Sequence, residues 1–248
     1  MEIYKNIQHY NEIFSTNTFA YSLMLDEKPP EFTVIIADSQ TNGRGQKNNI
    51  WVSNPGENLT FSVILYPKHI SASHQFVISE CISLAIRNVV VQYCPNTTIK
   101  WPNDVYVGDS KIAGILIEHV LSSSAIAGSV VGVGLNCNQL QFPHSIPNPT
   151  SIKKSTGKHV VMKDLFFELL GQFYKIYSRT QSDIALIHAQ YLQHIYLFET
   201  YVTYKDANGE FRGKIVHIDE NGLLHICDDL GKIRTFLFKE VELVHNKT

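Results

Sequence analysis

The run at residues 100–118, KWPNDVYVGDSKIAGILIE, constrains the fold more than any other stretch of the chain. Two segments rich in β-branched and aromatic residues, 98–107 and 112–120, flank a tight Gly108-Asp109 turn and predict a β-hairpin. The second segment is almost wholly apolar, the pattern of a strand covered on both faces. Pro102 has no amide proton and disfavours helical backbone at Trp101, so the ladder is expected to break at Trp101-Pro102 and redirect Asn103 and Asp104. Lys100, Asn103, Asp104 and Lys111 then collect around one turn. By itself the run reads equally well as a proline-induced bulge with solvated charges, and the rest of the chain has to decide.

Upstream, Ser15-Thr16-Asn17 precedes FAYSLML, whose apolar residues follow helical spacing; a Ser or Thr here is an N-cap, and the helix should end before Pro29-Pro30. Capping alone would explain the triplet. A functional reading adds that hydroxyls and amides at a helix start can hold a polar ligand head. A strand at 32–37 then runs into a long polar loop closed by Trp51. Gly43 and Gly45 in it allow close backbone approach to a ligand. Arg44 between them offers a planar fork of donors, and Lys47 adds a second positive charge. A two-glycine loop is common as a plain surface turn, but its length argues for a mobile cover.

The remaining pattern is a scaffold. Strands are expected at 59–66 and 124–138, the latter glycine-rich and ending near Asn136 and Asn138. Helices are expected at 73–93, 162–178 and 183–194, and 139–160 reads as an irregular connection. From residue 201 short strands alternate with turn residues, as in a small antiparallel barrel. These readings give an α+β fold, a mixed sheet flanked by helices, with domains at 1–197 and 198–248. The GxGxxG of a dinucleotide fold is absent.

Composition closes several classes. The 248 residues are 44% apolar and carry 21 basic against 23 acidic side chains, net −2, so no global charge draws the chain to nucleic acid or an anionic membrane. The four cysteines are scattered without CxxC or zinc spacing and read as buried thiols in a reducing compartment. No apolar run reaches membrane-spanning length and no leader pattern opens the chain, so a cytoplasmic protein is expected.

In combination, Gly43-Arg44-Gly45 with Trp51, Lys100-Trp-Pro-Asn-Asp104, Lys111-Ile-Ala-Gly-Ile-Leu-Ile-Glu118 and Gly132-Val-Gly-Leu-Asn136 resemble biotin protein ligases in order and separation. The resemblance runs over nearly the whole chain. It implies the catalytic fold shared with class II aminoacyl-tRNA synthetases, followed by an SH3-like C-terminal barrel. The implied activity is that of a biotin–[acetyl-CoA-carboxylase] ligase: ATP and biotin form biotinyl-5′-AMP, and a lysine of a biotin carboxyl carrier domain then takes the biotin.

That chemistry brings a carboxylate to an anionic α-phosphate, so the site must supply cations, with Mg2+ normally among them. The resemblance assigns Lys111 and Arg44 to catalysis and Ser15, Thr16, Asn17, Gln40, Arg44, Gly45, Gln46 and Lys111 to biotin. Lys47, Trp51, Asn103, Asp104 and Asn136 fall to ATP and the adenylate, with Trp51 closing over the intermediate against water. No residue is assigned as a dedicated metal ligand.

Two positions depart from the family pattern: Phe14 stands where an aspartate often precedes the triplet, and Gln46 cannot form a charged fork, which shifts adenylate retention toward Lys47 or backbone amides. Only fourteen residues precede Ser15, too few for a helix-turn-helix, so no operator binding is expected. A monomer or weak homodimer is expected. Competing readings are a lipoate or octanoate ligase or transferase on the same scaffold, and a non-catalytic biotin-binding module.

Overall fold

The computed structural model describes residues 4–46, 49–123 and 125–244. Its first sheet has seven strands: β1 (Ile7–Ile13), β2 (Thr33–Gln40), β3 (Leu59–Leu65), β4 (Thr97–Lys100), β5 (Asp104–Val107), β6 (Ser110–Ser122) and β7 (Ala125–Leu135). They are ordered β1-β2-β3-β7-β6-β5-β4, with β1 parallel to β2 and every other pair antiparallel.

Alternation along the central strands decides what covers each face. Val34, Val63 and Val131 enter the large core with helices α2 (Phe76–Val90) and α4 (Met162–Tyr177). Their neighbours Ile35, Ile64 and Val130 point the other way, onto Ala20, Leu23 and Met24 of α1 (Thr16–Asp26). Both faces are therefore covered, which is why β3 is buried along its whole length. The short helix α3 (Ile152–Thr156) lies within the stretch expected to be irregular, and α5 (Ile184–Leu192) follows α4.

The structure differs from the sequence reading in two places. The residues ahead of Ser15, to which no element is assigned from sequence, include edge strand β1; its side chains are only half-buried or exposed, so no apolar alternation marks it. Residues 98–107, read as one strand, are two. β4 and β5 pair across a turn at 101–103, with Lys100 opposite Asp104 and a cis Trp101-Pro102 peptide in the turn. The chemistry-bearing residues gather at this turn and not at Gly108-Asp109, which forms the expected two-residue connection to β6 with Gly108 at φ +54°.

The C-terminal sheet contains β8 (Val202–Asp206), β9 (Gly209–Ile218), β10 (Leu224–Asp228), β11 (Ile233–Phe236) and β12 (Glu242–Leu243), all antiparallel in the order β11-β10-β9-β8-β12. It docks on the first sheet's helices and on the 101–103 turn. Trp101, 8% exposed, donates its indole N–H to the Gly222 carbonyl at 2.9 Å, and Phe238 packs edge-on against Trp101.

Candidate active site

Helix α1 begins at the cavity because Ser15 is extended (φ −160°, ψ 129°) and its hydroxyl accepts from the Thr18 N–H, the expected N-cap. That geometry turns Thr16 and Asn17 inward, where both are buried. Gln40 at the end of β2 accepts from the Thr16 N–H at 2.8 Å and its hydroxyl at 3.2 Å. Ser62 of β3 donates 2.9 Å to the Thr16 hydroxyl or 2.7 Å to the Asn17 carbonyl oxygen. The Asn17 amide donates to the Leu116 carbonyl at 3.1 Å and the Glu118 carboxylate at 3.0 Å. Such a network fixes amide orientation and leaves a rigid polar floor.

Glycines on β7 make room for this layer. Gly132 lies between Ser62 and Leu116 in register, and a Cβ there would sit 2.0 Å from Asn17 Oδ1. At Gly134, two residues on and so on the same face, a Cβ would sit 2.2 Å from the Trp51 indole. The side chains of Asn17 and Trp51 lie across this glycine-rich strand.

The glycine loop folds back on itself. Gly45 N–H donates to the Asn49 carbonyl at 2.7 Å, and Trp51 N–H donates to the Gly43 carbonyl at 2.9 Å. Arg44 forks onto Glu118 at 2.8 and 3.3 Å and reaches the Thr18 hydroxyl at 3.3 Å, which ties the loop to β6 and α1. Its charge is thus engaged by a carboxylate at the cavity's edge. Lys47, assigned to the adenylate, lies outside the described residues.

Lys111 is aimed by a register slip. Tyr106 pairs with Lys111, but Val105 pairs with Ala113, so β6 carries one extra residue at this point. The bulge puts the Lys111 amine near Gly114, where a regular strand would place residues three apart on opposite faces. The amine lies 2.6 Å from Asp104 Oδ1 and 5.9 Å from the centre of the Trp51 ring. Asn103 brackets the bulge, donating its amide to the Ile115 carbonyl at 2.7 Å and accepting from the Ile115 N–H on its own carbonyl. Lys100 donates to the Tyr106 hydroxyl at 3.0 Å, and burial pulls its pKa below the usual lysine value against the pull of Asp104.

These groups line one cavity of about 160 Å³: Ser15, Thr16, Asn17 and Gln40 on one wall, Arg44, Gly45, Gln46 and Trp51 on another, Asn103, Asp104 and Lys111 on a third. It opens into a cleft of about 1440 Å³ between the two sheets, which shares Trp51, Asp104 and Lys111 and reaches Asn136. Asn136 donates its amide to the Thr150 carbonyl, while its buried side-chain oxygen has no partner among the described residues; nor has the Trp51 indole N–H. Sequence reasoning missed Ser62, a lone hydroxyl in an apolar strand. Glu118 was within a quoted motif, but no role was given to an acid ending an apolar run.

An ammonium held by one carboxylate, beside a lid with an indole and a polar pocket for a neutral head group, can steady two anions brought together and keep water off the product. Residues 11–136 match the biotin/lipoate A/B protein ligase family, and the chain belongs to it. Over 242 residues it is 27% identical to the bifunctional ligase/repressor BirA of Bacillus spizizenii, covering 94% of this chain and 73% of that protein. It is 27% identical over 211 residues to the biotin–[acetyl-CoA-carboxylase] ligase of Paracoccus denitrificans, covering 80% and 85%. The biotin protein ligase of Aquifex aeolicus, solved with biotin and ATP, superposes with a TM-score of 0.80 at 25% identity over 98% of this chain and all of that one. The fold is that of the biotin protein ligase catalytic domain, and the second sheet matches the expected SH3-like unit.

Proposed function

We propose that this chain is a biotin protein ligase: it joins biotin to ATP as biotinyl-5′-AMP with loss of pyrophosphate, then passes biotin to a lysine of a carboxylase's biotin carboxyl carrier domain. The observation that carries the reading is the Asp104–Lys111 pair at the wall shared by the small polar cavity and the large cleft. In this reading Ser15, Thr16, Asn17 and Gln40 hold the ureido ring, which needs donors and acceptors in a confined slot. The carboxylate then projects toward the cleft. Lys111 offsets the repulsion as that carboxylate attacks the α-phosphate, and Arg44, Gly45 and Gln46 keep the loop closed. Trp51 and Asn136 flank the nucleotide, and their unpartnered polar atoms are available to it.

Among the described residues no group of three or more His, Cys, Asp or Glu side chains is placed to hold a metal. Among the described residues Asp104 is the single acid lining the small cavity. This donor set does not build a magnesium cage; it suits an ion carried in on the triphosphate and held mostly by phosphate and water. The boundary near residue 198 divides the adenylating unit from the C-terminal sheet. Among the described residues no helix is long and apolar enough to cross a membrane, and the cysteines are free thiols. The reading places the chain in the cytoplasm, beside the carboxylase it serves, as a monomer or weak homodimer.

Exchange of labelled pyrophosphate into ATP, run with biotin, lipoate or no acid, tests the reading. Biotin-dependent exchange is expected. Exchange with lipoate alone moves the chain to the family's other branch, and none with either acid leaves a binding module.

A further inference from the structure

The backbone of Lys111 is pinned from both sides. On one side its neighbour is Tyr106 of β5; on the other, β7 has already ended with Leu135 opposite Ala113, and residues 148–150 take its place. The Lys111 N–H donates to the Asn148 carbonyl at 2.8 Å, and the Lys111 carbonyl accepts from the Thr150 N–H at 2.9 Å. The same short segment fixes a second residue of the cleft, because the Thr150 carbonyl accepts the Asn136 side-chain amide at 2.9 Å. A backbone carbonyl can only accept, so the Asn136 nitrogen faces Thr150 and its oxygen faces away. That oxygen is buried, has no partner among the described residues and belongs to a residue lining the cleft. Asn136 is not free to shift toward a partner: its N–H donates to the Ile112 carbonyl at 2.9 Å and its carbonyl accepts from the Ile152 N–H at 3.3 Å.

The segment holds its own shape. Pro147 and Pro149 restrict φ on either side of Asn148, which stands at φ +46°, left-handed backbone that asparagine tolerates better than most residues. Helix α3 supports it from behind: the Thr150 and Ser155 hydroxyls lie 2.7 Å apart, and the Lys154 ammonium donates to the Pro149 carbonyl at 3.3 Å.

We propose that Asn148, Pro149 and Thr150 are positioning residues that aim Lys111 and the Asn136 oxygen together, and that this aim selects a purine carrying an amino group at C6 over one carrying an oxo group there. An orphaned acceptor gains a hydrogen bond from the amino group, whereas an oxo group sets acceptor against acceptor. The inference rests on the ligase reading for its reaction and deepens it. One stretch of irregular chain ties the choice of base to the placement of the amine that meets the reacting anions.

The test runs biotin-dependent pyrophosphate exchange with ATP and with inosine triphosphate, whose base has the oxo group, on the full chain as wild type, N148G, N148A and N148V. N148G and N148A both delete the side chain, but only alanine resists positive φ, and β-branched valine resists it most. Wild type is expected to prefer ATP. N148G should keep wild-type kinetics, while kcat/KM for ATP falls in N148A and by roughly tenfold in N148V, the worth of one hydrogen bond. The preference for ATP over inosine triphosphate should shrink in the same order, with KM for biotin unmoved. Circular dichroism checks the fold, and N148A carries the comparison if N148V does not fold. Three results would each overturn the proposal: a wild type indifferent to the base, equal loss with both nucleotides in N148A, or an N148G loss as large as that of N148V, which would make the Asn148 side chain itself the contact. A wild type that binds ATP yet shows no biotin-dependent exchange sinks the ligase reading, while calorimetric affinities for the two nucleotides in the same variants still judge the segment.

Discussion

Asp104 Oδ1 and Lys111 Nζ lie 2.6 Å apart across a pair of strands whose register slips by one residue beside them. Without the extra residue in β6 the Lys111 side chain would leave the face on which Gly114 and Trp51 form the cavity wall. The bulge is therefore part of the site, and the amine is presented by strand backbone rather than by a loop.

Lys111→Ala should lower biotin-dependent pyrophosphate exchange by about 10³-fold, the scale of removing a principal electrostatic contact from a transition state, while circular dichroism stays that of the wild type. Lys111→Arg keeps charge but not a compact ammonium, and intermediate activity is expected. Near-normal exchange in the alanine variant would remove Lys111 from the chemistry.

Gly132→Ala and Gly134→Ala divide the site in two. A methyl at 132 meets the Asn17 amide at 2.0 Å and should weaken biotin; one at 134 meets the Trp51 indole at 2.2 Å and should open the lid. Each overpacks a buried sheet and should cost about 1–3 kcal/mol of stability. The expected difference is in kinetics: G132A raises KM for biotin, whereas G134A raises KM for ATP and leaks biotinyl-AMP into solution. Identical effects from both would mean that the floor is one unit.

How far the sequence carries this site depends on whether a contact is local. The Ser15 cap, the Gly108-Asp109 turn and the amphipathic helices follow from neighbours along the chain, and the linear pattern contains them. The 101–103 turn does not. Four residues of β4 and four of β5 are too short to show alternation, and the apolar content of 98–107 reads as one strand until pairing separates them. Ser62 and Glu118 hold the cavity-lining Thr16, Asn17 and Arg44 from strands distant in sequence, and Lys239 lines the cavity from a distant turn. Nothing beside Ser62 in FSVIL says that its hydroxyl meets Thr16 and Asn17, because α1 supplies that context.

Glu118→Gln tests the tether of the glycine loop. The Arg44–Glu118 pair is partly exposed, 41% and 26%, and such pairs contribute only about 0.2–1 kcal/mol, so the melting temperature should barely move. The loop loses a charged anchor to β6, and Asn17 keeps its contacts to Ser62 and Leu116. Faster release of biotinyl-AMP in a chase experiment, with little change in KM for biotin, is the expected result. An unchanged release rate would mean that the backbone bonds at Gly45 and Trp51 hold the loop unaided.

The seam between the two sheets carries a pH dependence separate from catalysis. Glu80 of α2 is buried and lies 2.6 Å from His188 Nδ1 of α5, with Glu220 and His217 of the second sheet nearby. The hydrogen bond to Glu80 holds the His188 pKa above its ordinary 6.5, and burial raises that of Glu80. Both shifts have the same sign for stability. The folded pair keeps protons that the unfolded chain has released, so the His188 part is full below pH 6.5 and is lost as pH rises through its folded value, while the Glu80 part is full only below pH 4.5 and falls above it. His217 opposes this, because burial and its imidazole neighbours lower its pKa, and so the whole-protein curve mixes both trends. Glu80→Gln isolates the pair by removing both raised groups together. Urea midpoints measured between pH 6 and 8.5 should fall for wild type relative to E80Q as pH increases; parallel curves would show that the pair exchanges no proton on unfolding.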